Sequence, residues 1–347
     1  MRSLEPVARS VLAALAIAHS VTVAPAQTVH GPVLSVQGER FALDGAPKFL
    51  IFVSYFDGLR ADPRSRDADL DFFQRHGISG VRIFPNWSHY GCPAKRGDDD
   101  SLITRSGGLN AGTLQRLREF MTAASARKLV VDVTFTRDTL SDPQRPELVE
   151  FKTYKAGIET AAGALAAFRN ALFDVQNEWT VHGGFSEPQI KELIAAVHGK
   201  DPRRVVSAST ENADADAGRF AAAPGIDFAA HHDDRERNWP ERVHTVVQGL
   251  RTGLSQPAKP IYLQEPSPFT AFCDGQRADG NAAHHHAALR NAVKAGAAAW
   301  TFHTRTGFVL SKRGFVDRAA DAEKKAIAGL AAALTGVQGL LLPEIRR

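Results

Sequence analysis

Short apolar runs alternate with amphipathic segments along most of the chain. Eight runs are rich in apolar or β-branched residues, and each has the length of a buried β-strand. The predicted strands are 49–53, 80–84, 129–135, 171–176, 204–209, 226–230, 260–264 and 297–302. Two further short apolar segments, 33–36 and 40–43, precede the first of them and predict a β-hairpin.

Between the predicted strands, apolar residues recur with the i, i+3, i+4, i+7 spacing of a helix that has one apolar face. The spacing is found in Ile190, Leu193, Ile194 and Val197, and in Val243, Val246, Val247 and Leu250. A third predicted helix carries the apolar residues Tyr154, Ile158, Ala162, Leu165 and Phe168. A last helix is expected over 321–334. A strand followed by a helix, repeated eight times, predicts an α/β fold, a closed parallel (β/α)8 barrel, with the hairpin closing its bottom. An open doubly wound sheet is the alternative, but the chain has no G-x-G-x-x-G turn after its first strand.

The N-terminal residues have the pattern of an export signal. Arg2 and Arg9 are basic, residues 11–18 are apolar, and Ala24-Pro25-Ala26 resembles a cleavage site. We therefore expect a signal peptide over 1–26, a single barrel domain over 27–347, and a secreted or periplasmic protein. In an oxidising compartment the two cysteines, Cys92 and Cys273, are expected to form a disulfide, with two free thiols as the alternative.

Composition narrows the possible partners. The chain has 42 Lys and Arg against 38 Asp and Glu, a net charge of +4. No basic cluster of the kind that nucleic-acid binding requires stands out, so no nucleic-acid partner is expected. The apolar tail over 326–342 is rich in Ala and Gly and is interrupted by polar residues, which favours a packed final helix over a membrane span. We expect no membrane partner, and a monomer.

Two glutamates follow predicted strands on opposite sides of the barrel. Glu178 follows the fourth strand and Glu265 follows the seventh. In such barrels the loops after the strands meet at one mouth, where the chemistry takes place. Cleaving a glycosidic bond with retention needs two carboxyl groups about 5 Å apart, one to protonate the leaving oxygen and one to attack the anomeric carbon. We assign Glu178 as acid/base and Glu265 as nucleophile; the alternative is two solvated residues at strand ends.

With these residues in place, the chain resembles the glycoside hydrolases of clan A, and especially the cellulase-like family 5. The Asn177-Glu178 pair matches the family's Asn-Glu at the end of strand four, and Glu265 matches its seventh-strand nucleophile. The resemblance implies that Asn177 holds the sugar 2-hydroxyl and that Arg82 orients the nucleophile. It also implies that Trp300, on the eighth strand, lies under the catalytic sugar.

The sequence departs from the family pattern on three strands. Asp132-Val133-Thr134 stands where the family often has Asp-x-His, and Trp179 replaces the Pro that usually follows the Asn-Glu pair. The sixth strand ends in His231-His232-Asp233-Asp234, from which only His232 is carried over as a contact to substrate or to the acid/base. Trp87 and Trp179 are further candidates for stacking on sugar rings, with ordinary packing as the alternative.

The resemblance implies a retaining β-glycosidase that acts on a β-linked polysaccharide or oligosaccharide of the glucan or mannan type, without a cofactor or metal. Two other functions stay open. A metal-dependent barrel hydrolase could use the cluster from His231 to Asp234. A carbohydrate-binding barrel without turnover is conceivable because the third and sixth strands depart from the family pattern.

Overall fold

The structure, a computed structural model, describes thirteen stretches of the chain. They are residues 31–56, 58–86, 89–90, 95–96, 101–137, 150–181, 184–211, 214–233, 238–254, 258–266, 281–308, 311–335 and 337. Among the sequence predictions, the signal peptide, Trp87, Cys92, Cys273 and Asp234 lie outside the described residues.

The strands, in chain order, are β1 Leu34–Gln37, β2 Arg40–Leu43, β3 Ala46–Lys48, β4 Leu50–Ser54, β5 Gly80–Ile83, β6 His89–Tyr90, β7 Lys95–Arg96, β8 Val130–Thr134, β9 Ala171–Asp174, β10 Val205–Ser207, β11 Ser209–Glu211, β12 Ala229–His232, β13 Ile261–Glu265 and β14 Ala299–Phe302. The helices are α1 Pro63–Arg75, α2 Ala111–Ala126, α3 Phe151–Ala164, α4 Glu187–Lys200, α5 Asp214–Ala222, α6 Trp239–Leu254, α7 Ala282–Ala295, α8 Arg305–Phe308, α9 Phe315–Arg318 and α10 Asp321–Thr335.

The main sheet is a closed barrel of parallel strands. Its order is β10-β9-β8-β5-β4-β14-β13-β12-β11, and each neighbouring pair is parallel. Only Ala208 separates β10 from β11, so these two segments are halves of one strand that pairs with β9 at one end and with β12 at the other. The eight predicted strands and the (β/α)8 barrel are therefore confirmed. The sixth strand begins later than expected, at Ala229.

The predicted hairpin lies at the bottom of the barrel and has a third strand. β1 pairs with β2 and β2 with β3, all antiparallel. Phe41 of β2 is fully buried, with its ring 5.5 Å from Phe228 and 6.5 Å from Tyr262, both in the lower barrel interior. The Leu34 amide donates to the carbonyl of Arg169 at 2.9 Å and ties the hairpin to the chain that enters β9. The hairpin therefore closes the bottom, as the sequence predicted.

Side chains alternate along each barrel strand between the interior and the helix layer, because successive residues of a strand point to opposite faces. The inward residues near the bottom are apolar and pack around Phe52, Leu172 and Tyr262. Higher in the barrel the inward residues are polar, among them Arg82 and Asp132, which are both fully buried. The outward residues pack against the helices. Polar side chains in the upper interior are thus held on rigid strands and open toward the mouth.

Within the described residues, no helix combines the length and the apolar character needed to traverse a bilayer.

Candidate active site

Glu178 lies in a turn just after β9, in a left-handed backbone conformation with φ of 46°. For a residue other than glycine this conformation is strained, and it persists where the surroundings hold it. Here neighbouring strands hold it: the Glu178 amide donates to Ser209 Oγ at 2.9 Å and the Asn177 amide donates to the carbonyl of Phe135 at 2.8 Å. The turn is buried, with Glu178 only 7% exposed. The local backbone therefore fixes the direction of this carboxyl group.

Glu265 is the last residue of β13 and faces Glu178 across the barrel. The two carboxylates and the ring of His232, from β12, form one cluster in which one polar atom of each residue lies within 4.8 Å of the other two. Glu265 is 3% exposed, so the pair lies at the base of the mouth rather than on its rim. The two glutamates that follow the fourth and seventh strands thus meet as expected. Their separation is in the range of a nucleophile and an acid/base on one anomeric carbon.

Arg82 connects Glu265 to Asn177. Its guanidinium group donates from Nη1 to Glu265 Oε1, from Nη2 to Asn177 Oδ1 at 2.8 Å and from Nε to Thr134 Oγ1 at 3.0 Å. The side chain is fully buried, and it also faces the carboxylate of Asp132 at 3.7 Å. The planar guanidinium carries several donors in a fixed arrangement that fits these acceptors, whereas a lysine ammonium could not contact all of them at once. The contact keeps Glu265 paired with a positive charge, which favours its ionised form.

His232 lies between the two glutamates. Its Nδ1 is 2.7 Å from Glu178 Oε1 and 3.7 Å from Glu265 Oε2, and its Nε2 is 3.0 Å from Gln264 Oε1. Burial alone would lower the pKa of His232, but the charge of Glu265 and the hydrogen bond with Glu178 outweigh it and raise the pKa above its usual value. His232, on the sixth strand, therefore contacts Glu178, the residue assigned from the sequence as the acid/base.

A layer of buried polar side chains lies directly beneath this cluster, and sequence analysis assigned no role to it. Asp132 accepts hydrogen bonds from Gln264 Nε2 at 2.7 Å, from Thr134 Oγ1 at 2.9 Å and from the Tyr262 hydroxyl at 3.0 Å. Burial raises the pKa of Asp132 to about 6, and Arg82 opposes the rise. The alternation of inward residues along β8 and β13 is the signal that could have identified Asp132 and Gln264.

A second histidine reaches Glu265 and was also missed. His303 follows β14, its Nε2 is 3.5 Å from Glu265 Oε2, and its Nδ1 is 2.7 Å from Ser54 Oγ. The ring of Phe56 lies beside it, 6.0 Å from the His303 ring, and packs on the ring of Phe84. The guanidinium of Arg82 lies over both phenylalanine rings, 5.3 Å and 4.7 Å from their centroids. This wall of the site is therefore aromatic and holds the arginine by cation–π contacts.

Trp300 does not reach the site. It is fully buried in the layer between the strands and the helices, where its ring lies 6.2 Å from His285 and 6.5 Å from Phe302. The reason is the alternation along β14: Thr301 points inward and donates to the Tyr262 hydroxyl at 2.9 Å, so Trp300 points outward. The expectation that Trp300 lies under a sugar is corrected by this placement.

A second aromatic candidate, Trp179, packs against the helix layer. Trp179 is partly buried, and its ring packs at 5.1 Å from Phe220 of α5. This contact corresponds to the packing alternative for Trp179. Trp87 lies outside the described residues, as do Cys92 and Cys273, so the expected bridge between the two cysteines is not shown.

The described residues of the metal alternative, His231, His232 and Asp233, do not gather into one group of possible metal ligands. His231 and His232 point to opposite faces of β12, since His231 lines a small space with Val246 and Leu263 on the helix side. Within the described part of the chain, the one group of three possible metal ligands is Glu178, His232 and Glu265. Arg82 already pairs with Glu265, and its Nη2 is 3.4 Å from His232 Nε2. A guanidinium at this distance repels a cation, so the donor set favours acid–base chemistry.

The fold is similar to solved glycoside hydrolase structures at low sequence identity. A glycoside hydrolase family 5 structure from Bacteroides vulgatus matches with a TM-score of 0.65 at 13% identity, over 86% of this chain and 70% of that chain. A family 5 mannosidase from Rhizomucor miehei, in complex with mannosyl-fructose, matches with a TM-score of 0.62 at 11% identity, over 90% of this chain and 99% of that one. A β-mannanase from the blue mussel Mytilus edulis matches with a TM-score of 0.54 at 16% identity, over 87% and 97%.

One further match is to a longer protein. A second Bacteroides vulgatus structure, described as that of a glycoside hydrolase, matches with a TM-score of 0.63 at 14% identity. The match includes 90% of this chain but only 63% of that protein's length. No protein-family model matches the sequence, and no curated protein matches it either. At these identities the similarity establishes the fold. The barrel that the family resemblance implied is thereby confirmed.

Proposed function

We propose that the protein is a retaining β-glycoside hydrolase. The observation that carries the proposal is the pair of buried carboxylates, Glu178 and Glu265, each with an oxygen within 4.8 Å of an oxygen of the other at the mouth of a (β/α)8 barrel. A separation near 5 Å suits a nucleophile and an acid/base, whereas an inverting pair needs room for a water molecule between its carboxyl groups. The two carboxylates have different partners, because Arg82 contacts Glu265 and His232 contacts Glu178. This difference supports different roles for them, nucleophile and acid/base.

In the proposed reaction, Glu265 attacks the anomeric carbon while Glu178 gives its proton to the glycosidic oxygen. The carbon–oxygen bond to the leaving group breaks with its electron pair on that oxygen, and a glycosyl ester forms on Glu265. Glu178 then takes a proton from water as the water displaces Glu265. Arg82 keeps Glu265 charged for the attack, and Asn177, held by Arg82 at 2.8 Å, is positioned to bind the sugar 2-hydroxyl.

For the substrate we propose a β-linked mannan or glucan, or its oligosaccharides, with mannan tested first. The support is that a mannosidase and a β-mannanase are among the proteins of similar fold. Trp87 and Trp179 remain candidates for outer sugar contacts, and Trp300 is not proposed for this role.

The proposal is tested by assaying the purified protein on aryl β-glycosides and on β-mannan and β-glucan, with and without a chelator. Glu178→Ala should lower the rate by about 10² to 10⁴ for an ordinary leaving group and by less for an activated one, which needs no protonation. Equal losses on both substrates would argue against Glu178 as the acid. Glu265→Gly should regain activity with azide and give a glycosyl azide of inverted configuration.

The same assays separate the two rival functions. A metal-dependent hydrolase would lose activity with the chelator and regain it with added metal. A sugar-binding barrel without turnover would bind oligosaccharides in calorimetry but leave every substrate of the panel intact. Either result would displace the glycosidase proposal.

We also propose that the protein is exported and that residues 1–26 are removed. The support is the basic start, the apolar run and Ala24-Pro25-Ala26. Mass spectrometry of protein recovered outside the cytoplasm should find a chain that begins near Gln27. An intact N-terminus, or protein confined to the cytoplasm, would contradict export.

A further inference from the structure

A buried chain of hydrogen bonds runs from Asp132 through Gln264 and His232 to Glu178. Gln264 Nε2 is 2.7 Å from Asp132 Oδ2, Gln264 Oε1 is 3.0 Å from His232 Nε2, and His232 Nδ1 is 2.7 Å from Glu178 Oε1. Asp132, Gln264 and His232 are each fully buried. The three bonds link side chains from β8, β13, β12 and the turn after β9. The direction of each bond decides which nitrogen of His232 carries a fixed proton.

The direction of the bonds at Asp132 follows from its other partners. Arg82 Nε can only donate, and it donates to Thr134 Oγ1 at 3.0 Å, so the Thr134 hydroxyl is free to give its own proton to Asp132 Oδ1 at 2.9 Å. In the same way the Tyr262 hydroxyl receives the proton of Thr301 at 2.9 Å and points its own at Asp132 Oδ2. Asp132 therefore acts as an acceptor, which is the role of an ionised carboxylate.

Asp132 in turn fixes the orientation of Gln264. An ionised carboxylate requires a donor, so the amide NH2 of Gln264 faces Asp132 and the amide oxygen faces His232. Since an amide oxygen can only accept, the nitrogen it meets, His232 Nε2, has to carry a proton. Nδ1 is then the nitrogen whose protonation can change, and it is the one that contacts Glu178.

We propose that Asp132 and Gln264 are positioning residues that hold a permanent proton on Nε2 of His232, so that Nδ1 exchanges a single proton with Glu178. The catalytic part of this proposal rests on the proposed function, because it gives Glu178 the role of acid. When Glu178 has given its proton to the leaving oxygen, the lone pair of Nδ1 faces an ionised carboxylate. That contact is unfavourable, and it favours the return of a proton to Glu178 from the attacking water.

Charged and titratable groups from several strands surround the His232 ring, some in direct contact and some through a neighbouring side chain. They are Glu178 and Asp174 from β9 and its following turn, Glu265 from β13, Arg82 from β5, Asp132 from β8, and His303 from the segment after β14 through its contact with Glu265. Arg82 Nη2 is 3.4 Å from Nε2 and is a donor, so it would favour an unprotonated Nε2 if Gln264 were absent. Gln264 is therefore the group that decides between the two tautomers.

The proposal is tested by nitrogen-15 NMR of histidine-labelled protein, with the His232 signals assigned from a His232→Gln sample. As the pH is raised from 6.5, Nε2 should keep the shift of a protonated nitrogen, and Nδ1 should be the nitrogen that loses its proton. A neutral ring protonated at Nδ1, or a ring doubly protonated over the whole range, overturns the proposal. The measurement needs no substrate, so its outcome is separate from the fate of the proposed glycosidase function.

Gln264→Leu and Tyr262→Phe form a matched pair of variants. Gln264→Leu removes the acceptor at Nε2, and the neutral ring should move its proton to Nδ1, with Arg82 donating to Nε2. Tyr262→Phe removes a different donor to Asp132 and leaves Gln264 in place, so the Nε2 proton should remain. Equal tautomer states in the two variants, with circular dichroism showing both folded, overturn the proposal.

The rate of glycoside cleavage gives a second measurement. In Gln264→Leu the Nδ1 proton donates to Glu178 and favours its ionised form, so the basic limb of kcat/KM should move to lower pH by about one unit. Tyr262→Phe should leave that limb within about 0.3 unit of the native position. A loss of rate in Gln264→Leu that is the same at every pH would indicate a merely structural role for Gln264. If no substrate is cleaved at all, the proposed function fails while the NMR result stands.

Discussion

Replacing Asp132 with asparagine should change how the stability of the protein depends on pH. Burial raises the pKa of Asp132 from its ordinary value of 3.8 to about 6, with Arg82 and the hydrogen bonds of Gln264 and Thr134 opposing the rise. The folded protein therefore keeps this proton to a higher pH than the unfolded chain does. The stabilisation from this group is present below the unfolded pKa and is lost as the pH rises through about 6.

The magnitude follows from the size of the shift. A difference of about 2 units at 1.36 kcal/mol per unit gives a loss of about 3 kcal/mol between pH 3.5 and pH 7. Asp132→Asn cannot ionise and avoids this loss. The free energy of unfolding of the variant minus that of the native protein should therefore rise by about 3 kcal/mol over this range, whatever constant offset the substitution adds.

Urea unfolding followed by tryptophan fluorescence at several pH values measures this difference. Subtracting the native curve removes the contributions of the other carboxyl groups. Asp321→Asn serves as the control, because the Asp321 side chain is 92% exposed. A difference that stays flat from pH 3.5 to pH 7, or that falls as the pH rises, would refute the reasoning about the buried layer beneath the site.

Three further substitutions separate catalysis from stability. Arg82→Lys should lower kcat/KM by about 10- to 100-fold, because lysine cannot reach Glu265 and Asn177 together; a native rate would contradict the bridging role. Trp300→Phe should lower the melting temperature and leave KM within about two-fold of the native value, since the Trp300 ring packs against the helix layer. A large rise in KM would indicate that Trp300 contacts the substrate. Arg204→Met should lower the free energy of unfolding by about 3 kcal/mol with little change in kcat, because the buried guanidinium donates to three backbone carbonyls and pairs with Asp201.

The barrel and the carboxylate pair were accessible from the sequence because both depend on local patterns. Each strand is a short apolar run, and parallel strands in a closed barrel end at the same mouth. Residues that follow the fourth and seventh strands, Glu178 and Glu265, were therefore expected to face each other. The third hairpin strand, Ala46–Lys48, was missed because its side chains are exposed and carry no apolar pattern.

The partners of the glutamates were harder to predict because they depend on which face each residue of a strand takes. Trp300 was assigned to the mouth, but Thr301 occupies the inward position, and His303, two residues later, is the side chain that reaches Glu265. Asp132 and Gln264 lie on strands far apart in the chain, and only the closed barrel brings them to 2.7 Å. The order of inward side chains around the barrel, rather than any single motif, determines such contacts.

Trapping the glycosyl intermediate tests the central claim most directly. A 2-deoxy-2-fluoro glycoside with a good leaving group, of the sugar that the substrate panel identifies, should inactivate the enzyme by forming a bond between its anomeric carbon and a carboxylate oxygen. Peptide mass spectrometry is expected to find the fluorosugar on Glu265, and the Glu265→Gly variant should stay unlabelled. Turnover of the sugar without any adduct, or an adduct on a residue other than Glu265, would contradict the account.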